Sequence, residues 1–96
     1  LVVDVSPYCD CHAENDLPIV PNIGMFASFD PVALDQACAD AVLSRDVLPG
    51  SCLYGKVKRG DDYFTALFPN CHWHTIIEHG KKMGLGTDQY ELVEVK

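Results

Sequence analysis

The alternation of apolar and polar positions predicts three strands, at the start of the chain, near residue 25 and at its end. Residues 1–5, LVVDV, are apolar on both faces, which is typical of a strand inside a sheet. Pro18 and Pro21 favour extended backbone before them, and residues 23–29 form the second predicted strand. Residues 90–95, YELVEV, form the third.

The first predicted helix has the clearest start signal in the sequence. Asp30 supplies a capping carboxylate and Pro31 suits the first helical position, where no N–H is needed. The pattern predicts a helix from Pro31 to about Arg45, with one face packed on the sheet. Its apolar positions recur at helical spacing: Val32, Ala33, Ala37, Cys38, Ala41 and Val42.

Two further helices are predicted in the second half of the chain. Residues 62–68 form a short helix that stops before Pro69. Asn70 is expected to cap the third helix, which ends at Gly84 in left-handed backbone with Leu85 closing over the end. The predicted apolar face of this helix consists of Trp73, Ile76, Ile77 and Met83.

Together these elements predict an α/β fold, with a small sheet and about three helices. No linker or repeat divides residues 1–96, so they form a single α/β domain or the C-terminal part of one. The chain opens inside a predicted strand and without methionine. We therefore expect a C-terminal fragment of a larger α/β domain, whose missing N-terminal part is a partner.

Charge and cysteine content narrow the class of protein. Seven basic against fourteen acidic residues give a net charge of −7, which disfavours nucleic acid and anionic membranes. No apolar run approaches the roughly 20 residues that span a bilayer. The five cysteines fit no secreted disulfide framework, and a Cys9–Cys11 bond would close a strained ring. Reduced thiols in the cytoplasm are the expectation.

The cysteine-rich loop SPYCDCHAEND, residues 6–16, is the candidate functional site. Cys9, Cys11 and His12 offer two thiolates and an imidazole, a ligand set that suits zinc or iron. His12 or the segment CHWH, residues 71–74, would supply further ligands, and Asp10, Asp16 and Asp30 are other donors. In the alternative interpretation, these side chains only bond to local backbone.

Other chemistries find less support in the sequence. No HExxH zinc-protease motif and no G-x-S-x-G elbow is present. Gly84-Leu85-Gly86 indicates a helix stop, because a dinucleotide fingerprint needs a strand before it and a helix after it. A thiol nucleophile, Cys9 or Cys11 beside His12, is a weaker hypothesis than metal binding.

Residues 4–42 closely resemble the C-terminal part of the family called domain of unknown function 362. The ending GKKMGLGTDQYELVEV, residues 80–95, is similar to that family's "GLG…Y" terminus. Members are often labelled iron–sulfur center proteins, a label that rests on a separate cysteine-rich segment. Here the CxC followed by isolated Cys38, Cys52 and Cys71 departs from ferredoxin spacing.

Two functional hypotheses follow from these residues and this resemblance. In the first, the protein is metal- or iron–sulfur-associated and its reaction is unknown, with redox chemistry as one hypothesis. Its loop then binds a single Fe or Zn ion, or adjoins an iron–sulfur cluster. In the second, the chain is a non-catalytic interaction module that completes the sheet of a larger protein and forms a homo-oligomer.

Overall fold

The computed structural model describes residues 1–9 and 11–95, and within them it contains three α-helices. Helix α1 spans Pro31–Leu43, α2 spans Tyr63–Leu67 and α3 spans His74–Lys82. Irregular segments connect the helices, and α1 packs against α3. None of the described helices is long and apolar enough to cross a membrane.

The prediction of an α/β fold is wrong, because no sheet forms among the described residues. The bridge between Val2 and Gly24, which is antiparallel, is the strand-like pairing found there. Val2 N–H donates to Gly24 O at 2.7 Å, and Ile23 N–H donates to Val2 O at 2.9 Å. The two segments therefore touch at one point and do not extend into a ladder.

Backbone chemistry explains why the first two predicted strands stop at a single bridge. Pro18 and Pro21 have no N–H to donate to a neighbouring strand. Asp4 has a φ of 49°, which removes it from the extended region. Its N–H donates to Asn22 Oδ1 at 2.8 Å, so a side chain takes the place of a ladder partner.

The third predicted strand is also absent. Residues 90–95 are irregular and exposed, and the segment is held to α1 through its first residue. Tyr90 Oη donates to Asp40 Oδ2 at 2.6 Å. This contact joins two side chains, and the backbone of residues 90–95 forms no strand.

The first two helices confirm the sequence predictions closely. Helix α1 begins at Pro31, and Asp30 Oδ1 accepts from the N–H groups of Val32 and Ala33, both at 3.0 Å. Helix α2 lies within residues 62–68, as predicted. Asp62 Oδ1 caps it in the same way, accepting from Phe64 and Thr65 N–H.

The start of α3 differs from the prediction, whereas its end agrees. Asn70 does not cap α3, because Cys71 N–H closes a turn onto Phe68 O at 2.8 Å and delays the helix to His74. At the other end Gly84 has a φ of 72°. Gly84 N–H donates to Lys81 O and Leu85 N–H to Gly80 O, the paired bonds of a Schellman motif.

The core lies beneath α1 and is built largely by irregular segments. Its buried members are Val2, Ile19, Val20, Val42, Leu53 and Tyr63. Tyr63 Oη donates to Arg45 O at 2.7 Å, so the one polar atom of this buried ring is satisfied. Of the predicted apolar face of α3, Ile77 is buried but Ile76 and Met83 are 67% and 64% exposed.

Helices α1 and α3 meet at a close approach between Gly80 and Val32. A Cβ atom added to Gly80 would lie 2.8 Å from Val32 Cγ2. Both residues are buried, so the absence of a side chain at Gly80 sets the distance between the two helices.

Candidate functional site

The candidate loop brings two sulfur atoms together on the surface. Cys9 and Cys11 are exposed, and Cys11 Sγ donates to Cys9 Sγ at 3.1 Å. Asp10, which the sequence analysis named as a further donor, lies outside the described residues. We call Cys9 and Cys11 the dithiol pair. The short distance between their sulfur atoms is visible only in the structure.

Asn15 organises the backbone around the dithiol pair. Its Nδ2 donates to Tyr8 O at 2.9 Å, Ser6 Oγ at 3.1 Å and Cys9 O at 3.3 Å. Its Oδ1 accepts from Tyr8 N–H at 3.1 Å. Sequence reasoning did not identify this residue, although asparagine side chains often bond to loop backbone.

His12 is held next to the pair by both its backbone and its ring. His12 N–H donates to Cys9 O at 2.9 Å, which closes the turn. The ring stacks on Tyr8 with centroids 4.3 Å apart, and Nδ1 accepts from Glu14 N–H at 3.1 Å. Because Nδ1 accepts, the neutral ring carries its proton on Nε2. A metal ion would therefore have to displace either the proton on Nε2 or the hydrogen bond from Glu14 N–H to Nδ1.

Aromatic contacts join the loop to the body of the protein. Tyr8 meets Phe68 edge to face, with ring centroids 5.5 Å apart. Phe68 is the residue that ends α2. The loop is thus positioned by the end of a helix that lies far from it in sequence. No local sequence pattern predicts that contact.

The remaining predicted ligands do not gather around the dithiol pair. Residues 1–9 and 11–95 contain no group of three or more His, Cys, Asp or Glu side chains suited to a metal ion. Asp30 is occupied by its cap of α1 and by Thr87 N–H. Asp16 Oδ1 accepts from Leu17 N–H. Metal binding by Cys9, Cys11 and His12 stays a prediction.

The CHWH segment forms a separate cluster around Asp62. Asp62 Oδ2 accepts from Trp73 Nε1 at 2.9 Å and lies 3.7 Å from His74 Nε2. Burial acts to raise the pKa of Asp62, but the hydrogen bonds from Trp73, Thr65 and Phe64 outweigh it and leave that pKa below its usual value. This arrangement fastens the start of α3 to the start of α2.

An apolar groove of about 400 Å³ lies between the three helices and the first residues of the chain. Its walls include Val5, Cys38, Leu67, Cys71, Trp73 and Ile76. Burial raises the pKa of the Cys38 thiol, which favours the neutral form. Cys38 is half-buried against the core, as its position on the apolar side of α1 predicted.

The fold and the loop together define a small helical protein with an exposed dithiol pair. Residues 1–40 match the family described as "Domain of unknown function (DUF362)", and this part of the chain is similar to that family. The match includes the dithiol loop and the start of α1, and confirms the resemblance in that region. No curated protein and no solved structure matches the chain.

Proposed function

We propose that Cys9 and Cys11 are thiolate ligands of a thiophilic metal ion, zinc or iron, or of one iron in an iron–sulfur cluster. The observation that supports this proposal is the 3.1 Å separation of the two sulfur atoms on a loop ordered by Asn15. Sulfur donors this close need little rearrangement to bind one ion. Thiolates also prefer zinc, iron and copper(I) over oxygen-seeking ions such as magnesium.

The dithiol pair supplies half of a usual ligand set. A structural zinc ion is held by four protein ligands, and an iron–sulfur cluster as a whole is usually held by four cysteine thiolates. The other ligands would therefore come from a second copy of the chain or from another polypeptide. When bound, an iron centre would provide electron transfer, and the protein's contribution is to hold both sulfurs at one point of its surface.

His12 is proposed as a supporting residue and not as the third ligand. Its Nδ1 already accepts from Glu14 N–H, and its ring is stacked on Tyr8. Direct coordination would break one of those interactions. In its present position His12 stabilises the turn that contains Cys9, because His12 N–H donates to Cys9 O.

Cobalt(II) titration under anaerobic conditions tests this proposal directly. Cobalt bound by thiolates gives a sulfur-to-metal charge-transfer band, and its saturation gives the stoichiometry. We expect one ion per chain, or one per two chains with a doubled mass in solution. The band is expected to disappear in Cys9→Ser and Cys11→Ser and to change little in His12→Ala.

Two control measurements complete the experiment. The Cys52→Ser and Cys71→Ser variants keep the dithiol pair and should retain the band. Iron and acid-labile sulfide, measured on protein purified without oxygen, separate a cluster from a single ion. A band that survives loss of both Cys9 and Cys11 would contradict the proposal, as would no binding by the reduced wild-type chain. Reduced thiolates at this site are most compatible with the cytoplasm.

A second candidate function, association with another protein chain, has one observation in its favour. Met25 is 81% exposed and Phe29 is fully exposed, although both are large apolar side chains, and both lie in the irregular segment before α1. Completion of a sheet is not part of this function, since the described residues form none. Sedimentation of wild-type and Phe29→Ser protein over a range of concentrations tests self-association, which should weaken in the variant.

A further inference from the structure

From the same loop we infer that Cys9 and Cys11 form a reversible dithiol–disulfide pair, oxidised by low-molecular-weight disulfides such as glutathione disulfide. This inference does not depend on the proposed metal site. The geometry requires only that the two sulfurs, now 3.1 Å apart, approach to about the 2.05 Å of an S–S bond. Both cysteines are exposed, so a small disulfide can reach them.

The thiol–disulfide exchange needs only the two protein thiols and one molecule of glutathione disulfide. One protein thiolate attacks a sulfur of glutathione disulfide, forms a mixed disulfide and releases one glutathione thiolate. The second protein thiolate then attacks the protein sulfur of that mixed disulfide and releases the second glutathione. Two protein thiols are oxidised, one disulfide is reduced, and the two protons pass to the released glutathione molecules.

The ring that closes makes this disulfide labile. With a single residue between the two cysteines, the ring is strained, and strained or exposed disulfides have more oxidising potentials than structural ones. The bond should therefore be returned to the dithiol readily. Such a pair can pass its oxidising equivalents to another thiol, or can report the redox state of its surroundings.

The surroundings of the loop favour closure between these two cysteines over reaction with the others. Asn15 and the turn from Cys9 O to His12 N–H hold the backbone on both sides of the pair. Cys38, Cys52 and Cys71 are each half-buried elsewhere. Intramolecular attack should consequently be faster than accumulation of a mixed disulfide at Cys9 or Cys11.

Mass spectrometry of the wild-type chain tests the inference, with EDTA present so that metal plays no part. After equilibration with glutathione disulfide, free thiols are blocked with one reagent, disulfides are reduced, and the new thiols are labelled with a second reagent. Trypsin releases residues 1–45 as one peptide, since Arg45 is the first lysine or arginine in the chain. Fragmentation of that peptide distinguishes Cys9 and Cys11 from Cys38.

We expect the second label on Cys9 and Cys11 together in more than about half of the chains. This label should be lost when an about tenfold excess of reduced glutathione is added before blocking. The Cys11→Ser variant, which lacks the second sulfur, should instead hold glutathione at Cys9. A wild-type chain that carries only glutathione adducts, or that leaves both thiols unlabelled, would overturn the inference. Either result leaves the cobalt titration free to support or contradict the metal site.

Discussion

The Asp30 carboxylate joins the start of α1 to the Thr87 backbone, which lies 57 residues further along the chain. Its Oδ1 caps α1, and its Oδ2 accepts from Thr87 N–H at 3.0 Å. A Cβ on Gly86 would lie 2.6 Å from Asp30 Cγ, so only glycine allows this approach. The C-terminal motif therefore meets the part of the chain that matches the family.

Asp62 repeats this use of a capping carboxylate at α2. One oxygen caps the helix, and the other accepts from Trp73 Nε1 just before α3. A carboxylate has enough acceptor capacity to serve both purposes. Because residues 1–9 and 11–95 form no sheet, these two residues provide tertiary connections that a strand ladder would otherwise provide.

Replacement of Asp30 by Asn should release the tail but leave the helix cap in place. Asparagine caps helices as well as aspartate, and its shape is the same. It can keep one oxygen on the cap only by turning its NH₂ group toward Thr87 N–H. We expect faster hydrogen exchange at Thr87 and unchanged protection at Ala33, measured by NMR. Equal loss at both amides would contradict a separate role for Oδ2.

Acid should weaken the same connection. Hydrogen bonds from Ala33, Thr87 and Val32 lower the pKa of Asp30 below its usual 3.8, despite an opposing effect of burial. A lowered pKa in the folded state contributes stability above pH 3.8 that is lost as the pH falls through the folded-state pKa. Thermal unfolding of wild type should therefore decline more steeply below pH 4 than that of Asp30→Asn. Parallel curves would assign the acid loss to other carboxylates.

Tyr90 should titrate far above a normal tyrosine. Its hydrogen bond to Asp40, with burial and the negative charge nearby, raises its pKa from 10.0 to about 12. Because the folded-state pKa is raised, this contribution to stability is complete below pH 10 and is lost between pH 10 and 12. Ultraviolet titration of wild type minus Tyr90→Phe should show this high midpoint. Tyr90→Phe should cost about 1 kcal/mol or less at neutral pH.

Substitution of Gly80 by Ala should destabilise the protein although alanine favours helices. The new Cβ would lie 2.8 Å from Val32 Cγ2, and valine is stiff and buried there. Overpacking of this kind costs about 1–3 kcal/mol, more than the gain of about 1 kcal/mol in helix propensity. Denaturant unfolding of Gly80→Ala, Val32→Ala and the double variant should show that the two changes compensate each other. Gly84→Ala serves as the control, because its strain at φ 72° should be unaffected by Val32→Ala.

Loss of Asn15 should weaken the dithiol site without unfolding the chain. Asn15→Ala removes three donated bonds, to Ser6 Oγ, Tyr8 O and Cys9 O, and two accepted bonds, from Tyr8 and Asp16 N–H. The loop is exposed and outside the core, so the unfolding temperature should hardly change. We expect cobalt affinity to fall by about tenfold, as for loss of an outer support of metal ligands, and the yield of the Cys9–Cys11 disulfide to fall as well. Asn22→Ala offers a comparison of the same residue type away from the cysteines.

Elements whose signals are local could be predicted from the amino-acid sequence alone. Asp30-Pro31 marked the start of α1, and Gly84 marked the end of α3, because capping and left-handed backbone depend on a few neighbouring residues. The CxC pair was visible for the same reason. The strand predictions failed, since strand formation needs a partner along the whole strand, which a local pattern does not reveal, and in the first strand Asp4 also leaves the extended region with a φ of 49°.

The places where these elements meet depend on long-range packing and could not be predicted. The tertiary structure places Tyr8 on Phe68, Thr87 on Asp30 and Tyr90 on Asp40, contacts between residues far apart in sequence. Trp73 and His74 of the CHWH segment contact Asp62, so they do not add ligands to the dithiol pair. Such contacts depend on packing of the whole chain, and hydrophobic period and residue spacing contain no information about them.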